Sequence, residues 1–247
     1  MIKGVDMRIV NFAAAGVAAA VLLAGCSTEP AAEPTSASPS PTPASSAPVP
    51  TDPNEALQSG VQSGDVDAVN AALAAGADPN LEFGAGVTAL IAAIQRGDAQ
   101  LVQAIIDGGA DLELANRENR TPLTIAAGIA SGEVVQVLLD AGAKIEVFSD
   151  DVYNASPLHA AAQGRNPEAL KVLLNTGVDI NLANPGYGAT ALHASAWWNC
   201  VDCATVLYEA GADLSIREPG GDTALTVARN RHSDETALFL ESVGAPE

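Results

Sequence analysis

Two cysteines in a C-x-x-C arrangement, next to two tryptophans, are the residues of this sequence whose types and spacing most suggest chemistry. Cys200 and Cys203 directly follow Trp197 and Trp198, in a chain of 247 residues with three Cys and two Trp in all. A C-x-x-C pair is typical of a redox disulfide or of half a zinc site. The choice between these interpretations depends on the elements that hold the four residues.

The charge of the chain limits its partners. The sequence has 30 Asp and Glu against 11 Lys and Arg, which gives a formal net charge of −19. Such a chain cannot neutralise phosphates, so nucleic acid and anionic lipid surfaces are excluded as partners. Long-range attraction favours a partner protein of basic or mixed charge.

The N-terminus has the pattern of a secretory signal. Lys3 and Arg8 precede an uncharged run over 12–24, which is too short to span a bilayer. The run ends in Leu23-Ala24-Gly25-Cys26, which resembles the bacterial lipobox. The resemblance implies a lipoprotein signal peptide over 1–25, lipidation of Cys26 and a chain anchored to the membrane outside the cytoplasm. The alternative is an ordinary signal peptide with a chance cysteine.

The following segment is predicted to be a tether. After Cys26, residues 27–53 consist almost entirely of Pro, Ser, Thr and Ala with a few acids. Such a composition cannot bury a core, so 26–53 is predicted to be extended and disordered. At about 3.1 Å per residue the segment would reach roughly 80 Å.

The rest of the chain is an internal repeat. A Thr or Ser followed by Ala or Pro and then Leu recurs every 33 to 35 residues, at Thr88, Thr121, Ser156, Thr190 and Thr223. A glycine lies 21 residues after each, and one precedes the first, at Gly76, Gly109, Gly142, Gly177, Gly211 and Gly244. This period indicates stacked supersecondary units. It predicts one domain over 54–247, with units near 54–87, 88–120, 121–155, 156–189, 190–222 and 223–247.

Each unit is expected to form two helices. The Thr or Ser hydroxyl caps the first helix, small residues follow, and apolar pairs such as Leu101–Val102 and Ile105–Ile106 form a buried stripe on the second. The pattern resembles the ankyrin repeat, in which His159 and His193 would brace the turn. The predicted fold is therefore an all-α repeat: an ankyrin-type solenoid of about six helix–turn–helix units with hairpin-like fingers.

This register places the C-x-x-C stretch. Trp197 and Trp198 end the first helix of the fifth unit, Cys200 lies in the turn, and Cys203 falls at a buried position. Three interpretations stay open for the pair: packing alone, a Cys200–Cys203 disulfide in an oxidising compartment, or redox or metal chemistry. One histidine and two cysteines without a fourth ligand make a poor zinc site.

The aromatic residues suggest a binding surface. The resemblance implies that first helices and fingers line a concave face where partners bind. On that face Trp197 and Trp198, with Phe83, Tyr153 and Tyr187 in the fingers, are the predicted partner-binding residues. Packing of Trp198 between units, and ordinary loop packing of the finger aromatics, are the alternatives. Acids share the fingers, at Glu82, Glu118, Asp150, Asp151, Glu218 and Asp222, and favour a basic or mixed partner.

No motif of an enzyme is present in the sequence. It contains neither a phosphate-binding loop nor a G-x-S-x-G nucleophile elbow, so no catalytic residue, metal site or cofactor is expected. The predicted function is an extracytoplasmic, lipid-anchored ankyrin-repeat protein that binds another protein through its concave face. The alternatives are a redox or metal-handling envelope protein that uses Cys200 and Cys203, and a purely structural envelope component.

Overall fold

The computed structural model of the chain describes residues 52–149 and 155–247. The predicted signal peptide, Cys26, the tether up to residue 51 and Tyr153 with Asp150 and Asp151 lie outside the described residues. The two described ranges contain twelve α-helices and no strand. The helices are α1 (Pro53–Ser63), α2 (Val66–Ala74), α3 (Ala89–Arg96), α4 (Ala99–Asp107), α5 (Pro122–Ile129), α6 (Gly132–Asp140), α7 (Pro157–Gln163), α8 (Pro167–Leu174), α9 (Ala191–Trp197), α10 (Val201–Glu209), α11 (Ala224–Asn230) and α12 (Asp234–Ser242).

The helices form six pairs, one for each predicted unit. The odd-numbered helices are the first helices of their units and the even-numbered ones the second helices. Between units, the residues before each Thr or Ser landmark form the fingers, and the structure describes four of them in full: 81–87, 114–120, 183–189 and 216–222. Two fingers close with isolated antiparallel bridges, Glu82 to Thr88 and Arg217 to Thr223. The predicted all-α repeat solenoid with hairpin-like fingers is confirmed.

The helix ends follow the sequence signals. The Thr88 hydroxyl accepts a hydrogen bond from the Ile91 N–H at 3.3 Å, and Thr121 and Thr223 make the same bond to Thr124 and Thr226. Each bond satisfies one of the N–H groups that a helix start leaves unpaired. One end shows why the landmark glycine is needed: Gly142 has φ of 95°, a conformation that a side chain disfavours.

The core is one continuous layer between the helices. On the second helices Leu101, Val102 and Ile105 are buried and Ile106 is half-buried, as the stripe predicts. The first helices contribute small buried residues such as Ala126, Ala127, Ala161 and Ala162. Small side chains let these helices approach closely, so each unit buries its apolar face only against its neighbours.

Hydrogen bonds between neighbouring loops keep the units in register. The Asp78 N–H donates to the Asn54 side chain at 2.8 Å, and the Asp111 N–H donates to Asn80 at the same distance. The first bond joins the two ends of the first unit, whereas the second bond joins two neighbouring units. Within the described ranges no helix is both long and apolar enough to cross a bilayer.

Candidate functional site

Trp197 lies at the end of α9 with its ring covered by an arginine. The ring is half-buried against the core, and the Arg231 guanidinium carbon lies 3.6 Å from the ring centroid. A guanidinium stacked on an indole face is held by cation–π attraction. Arg231 therefore covers one face of the Trp197 ring, and binding of a partner by Trp197 stays a prediction.

Trp198 belongs to a row of residues at the ends of the first helices. It is 40% exposed, and its backbone N–H donates to the Ala194 carbonyl at 3.0 Å. The equivalent residue of each unit lies eight positions after the Thr or Ser landmark. These residues, called here the helix-end row, are Arg96, Ile129, Gly164, Trp198 and Arg231.

Ile129 is the second apolar member of the helix-end row. Its side chain is 61% exposed on α5, although a large aliphatic residue normally gains from burial. Ile129 and Arg231 were not among the predicted partner-binding residues, because neither is aromatic. Following one register position through all units would have found both.

Gly164 lies between Ile129 and Trp198 in the helix-end row and contributes no side chain. A Cβ atom on Gly164 would lie 1.9 Å from the Gly128 carbonyl oxygen, which no side chain tolerates. The backbones of α5 and the end of α7 therefore approach very closely at this point. The absence of a side chain leaves a gap between the two neighbouring apolar members of the row.

The cysteine pair follows Trp198 closely in the chain. Cys200 and Cys203 are joined by a disulfide whose Cα atoms are 5.2 Å apart. Cys200 is the N-cap residue of α10, and both cysteines are buried. Two of the three interpretations therefore hold together: the cysteines are buried in the core, and they form a disulfide. The chain-entropy estimate for such a short loop is about 2 kcal/mol of stabilisation.

Burial argues against redox chemistry at this pair. A helix N-terminus is a feature of reactive cysteines, because it lowers the pKa of a thiol. Thiol–disulfide exchange also requires that a thiolate reach one of the sulfurs, and Cys200 and Cys203 are only 3% and 0% exposed.

The finger aromatics occupy different environments. Phe83 is half-buried and packs against the core, as the alternative of loop packing expected. Tyr187 is 51% exposed, and its backbone N–H donates to the Asn184 side chain at 2.8 Å. Tyr187 is thus the described finger aromatic that is available to a partner.

Two of the finger acids form ion pairs with neighbouring arginines. Glu82 lies 3.3 Å from Arg117, and Glu118 lies 3.3 Å from Arg120. Burial raises the pKa of Glu218, and the neighbouring Asp222 raises it further. The expectation of a basic partner is not tested by these contacts and stays a prediction.

The positive charges lie on one side of the stack. In the described ranges, seven arginines lie in the first helices, in the turns after them or in the fingers: Arg96, Arg117, Arg120, Arg165, Arg217, Arg229 and Arg231. Lys144 and Lys171 are the two basic residues of these ranges that lie elsewhere. Helices α3, α5, α7, α9 and α11 contain no Asp or Glu, whereas every second helix contains at least one. The first-helix face, defined here as the surface formed by the first helices and the fingers, therefore does not share the strongly negative charge of the whole chain, which is −19.

The two landmark histidines each connect the first helix of their unit to the end of the finger in the same unit. The His159 Nδ1 lies 2.7 Å from the Ser156 hydroxyl, and its Nε2 lies 2.8 Å from the Ala189 carbonyl oxygen. His193 lies 2.9 Å from Thr190 and 3.3 Å from the Asp222 carbonyl oxygen in the same way. Since a carbonyl oxygen only accepts, Nε2 must carry the proton. Burial lowers the pKa of both imidazoles, so they are neutral braces and not catalytic groups.

A metal site was not expected, and the described part of the chain offers no group of three or more His, Cys, Asp or Glu that could hold an ion. The cysteines that might have served as ligands are joined to each other.

Fold and surface together define a helical-repeat solenoid whose first-helix face carries exposed apolar and cationic side chains. A family model described as ankyrin repeats in three copies matches residues 57–149 and 145–218, which together are more than half of the chain. The chain belongs to the ankyrin-repeat family. Domains of this family generally mediate protein–protein interactions and are typically not enzymes.

Solved structures with the same fold include two ankyrin-repeat proteins. The ankyrin-repeat domain of Bcl-3, described as a unique member of the IkappaB family, superposes with a TM-score of 0.68 at 23% identity, covering 77% of this chain and 86% of that one. The ankyrin-repeat protein EF0377 superposes with a TM-score of 0.66 at 26% identity, covering 76% of this chain and 97% of that one. A search of curated proteins gave no significant match.

Proposed function

We propose that this chain is a protein-binding module that uses the face formed by its first helices and fingers. The observation that carries the proposal is the exposure of Ile129 and Trp198 at one register position of the stack, with Tyr187 in a neighbouring finger. Exposed apolar side chains that share one face of a protein mark interaction sites. Tryptophan and tyrosine are also the residues on which binding energy concentrates.

We further propose that the protein acts outside the cytoplasm, anchored through lipid on Cys26 and held off the membrane by the tether. The lipobox-like sequence before Cys26 supports this location, and so does the buried disulfide, since disulfides persist in oxidising compartments. Metabolic labelling with a tagged fatty acid tests the anchor. Label on the normal chain and none on Cys26→Ser is the expected result; equal labelling of both would refute it.

The two alternatives make different demands. A redox protein needs an accessible sulfur, and the burial of Cys200 and Cys203 gives that alternative no support. A purely structural envelope component needs no specific partner, so its binding would not depend on any single exposed side chain. The experiment therefore measures whether binding depends on a single exposed side chain.

The full-length chain is used to capture proteins from a detergent-solubilised envelope extract, beside two variants. Trp198→Ala removes an aromatic side chain from the first-helix face. The matched control is Tyr208→Ala, which removes one from α10 on the second-helix side; the two side chains are 40% and 41% exposed. We expect a captured protein that the normal chain and Tyr208→Ala retain and that Trp198→Ala loses.

Other outcomes contradict the proposal in distinct ways. Loss of the captured protein with Tyr208→Ala alone would move the site to the second-helix side, where Tyr208 packs edge-on to Phe239 at 6.0 Å. Equal capture by all three chains, or no specific capture, would favour the structural role.

A further inference from the structure

We propose that the helix-end row binds an acidic segment of the partner protein, in place of the basic partner that the net charge suggests. This inference rests on the proposed function, because it assigns a chemical class to the ligand of the same face. The occupant is an extended peptide segment that carries carboxylates and interspersed apolar side chains.

Arg231 is the best-prepared carboxylate ligand of the row. Its guanidinium lies on the Trp197 ring at 3.6 Å, which restricts its motion before any ligand arrives. Stacking uses the flat face of the group and leaves its N–H edge free to bind a carboxylate with two hydrogen bonds. A preorganised ligand loses less entropy on binding.

Two more arginines continue the positive charge along the row. Arg96 ends α3, and its side chain donates to the Gln62 carbonyl of the preceding unit at 2.8 Å. Arg165 follows Gly164 directly and is exposed. Within the described ranges, Arg96, Arg165 and Arg231 do not take part in any of the salt bridges formed.

The centre of the row suits apolar side chains of the ligand. Ile129 and Trp198 lie on either side of Gly164, which contributes no side chain. A row over five units, with helices about 8–10 Å apart, is roughly 35 Å long. An extended peptide of about eleven residues covers that length.

Local charge decides the sign of the ligand at this surface. The Asp98 carboxylate, two residues after Arg96, accepts from the Gln100 and Leu101 N–H groups at 3.0 and 3.1 Å. The Glu235 carboxylate, four residues after Arg231, lies 3.4 Å from the Asn199 amide nitrogen. Both carboxylates therefore already have partners other than the row arginines, which leaves Arg96 and Arg231 as cations for an acidic ligand.

The test uses three synthetic peptides with the same pattern of leucines, in which the remaining positions are Glu, Gln or Lys. The chain has only two tryptophans, Trp197 and Trp198, so intrinsic fluorescence of the full-length chain reports on this surface directly. We expect the Glu peptide to change the fluorescence and to bind at least about tenfold more tightly than the Gln or Lys peptides. Raising the salt concentration should weaken that binding.

Charge-removing variants locate the binding. Arg165→Gln/Arg231→Gln is expected to weaken the Glu peptide by about tenfold or more, since each arginine contributes a charged hydrogen bond. The control, Lys171→Gln, removes a cation from α8 that pairs with Glu168 at 2.8 Å on the second-helix side. Circular dichroism of each variant verifies that it folds, and the control should bind like the normal chain.

Three results would overturn the inference: no binding of the Glu peptide, equal or tighter binding of the Lys peptide, or equal binding by the double arginine variant. The capture experiment separates such a failure from a failure of the proposed function. If Trp198→Ala still abolishes capture of an envelope protein, the face binds protein and only the acidic class is wrong. If capture does not depend on Trp198 either, both proposals fail.

Discussion

Single residues in the inter-helix turns carry backbone strain that their sequence conceals. Gly64 and Gly97 have positive φ at one turn position, where glycine is at no disadvantage. The equivalent Arg165, Asn199 and His232 keep φ at 55°, 50° and 56° in spite of their side chains. Ala130, at the same position of the third unit, is extended with φ of −97°, so the left-handed conformation occurs at five of these six turns, with or without glycine.

The first prediction compares two of these turn residues. His232→Gly should raise the free energy of unfolding by about 1 kcal/mol, because glycine removes the penalty of the left-handed conformation. Asn199→Gly should lower it, because the Asn199 side chain accepts from the Thr236 N–H at 3.2 Å and its hydroxyl at 3.0 Å. Urea unfolding measures both. A change of the same sign in the two variants would show that side-chain hydrogen bonds do not decide stability here.

At the scale of the element, the approach of α5 to α7 is set by the absence of side chains. A Cβ on Gly164 would meet the Gly128 carbonyl oxygen at 1.9 Å, whereas a Cβ on Gly128 would find its nearest atom, the Ala160 oxygen, at 3.5 Å. Two glycines in adjacent units thus have different roles. Gly164 permits a close contact between two backbones. Gly128 lies within α5, where alanine has the higher helix propensity.

The second prediction follows from that difference. Gly164→Ala should lower the free energy of unfolding by about 1–3 kcal/mol, because the helices must separate to admit a methyl group. Gly128→Ala should raise it by about 0.5–1 kcal/mol through better helix propensity. Thermal unfolding of both variants measures the effect. If Gly164→Ala were as stable as Gly128→Ala, the close approach of α5 and α7 would be wrong.

At the scale of the whole stack, neutral histidines hold the fingers that lead from one unit to the next. His159 and His193 each connect the first helix of a unit to the last residue of that unit's finger, directly before the next landmark. Burial lowers the pKa of both below 6.5, so the folded chain resists protonation that the unfolded chain accepts. The unfolded state then binds more protons below about pH 6.5, and stability falls as pH falls.

The third prediction is this pH dependence. Between pH 7 and 5.5 the free energy of unfolding should decrease, with a limit of about 1.4 kcal/mol per pH unit for each imidazole. His159→Gln should reduce the slope. The matched control is His232→Gln, which replaces the third histidine of the chain, whose side chain is exposed. An identical slope in the normal chain and His159→Gln would contradict the role of this buried imidazole.

The sequence by itself determined the repeat and most of its local structure. The capping Thr and Ser residues, the apolar stripes and the landmark glycines act over a few residues, and the same pattern is restated in each unit. Such signals are local, so their periodicity was enough to place all six helix pairs and the buried position of Cys203. Expectations about Cys26, the tether and Tyr153 stay predictions, since these residues lie outside the described ranges.

The tertiary structure alone decided which side chains meet on the first-helix face. Trp197 and Arg231 are one unit apart in the sequence and meet only because the stack brings the end of α11 onto the end of α9. The same holds for the Gly164–Gly128 contact and for the collection of arginines on the first-helix face. Contacts between units depend on how far each helix stands from its neighbour and how it is rotated. A one-dimensional repeat fixes the order of the units but not those distances.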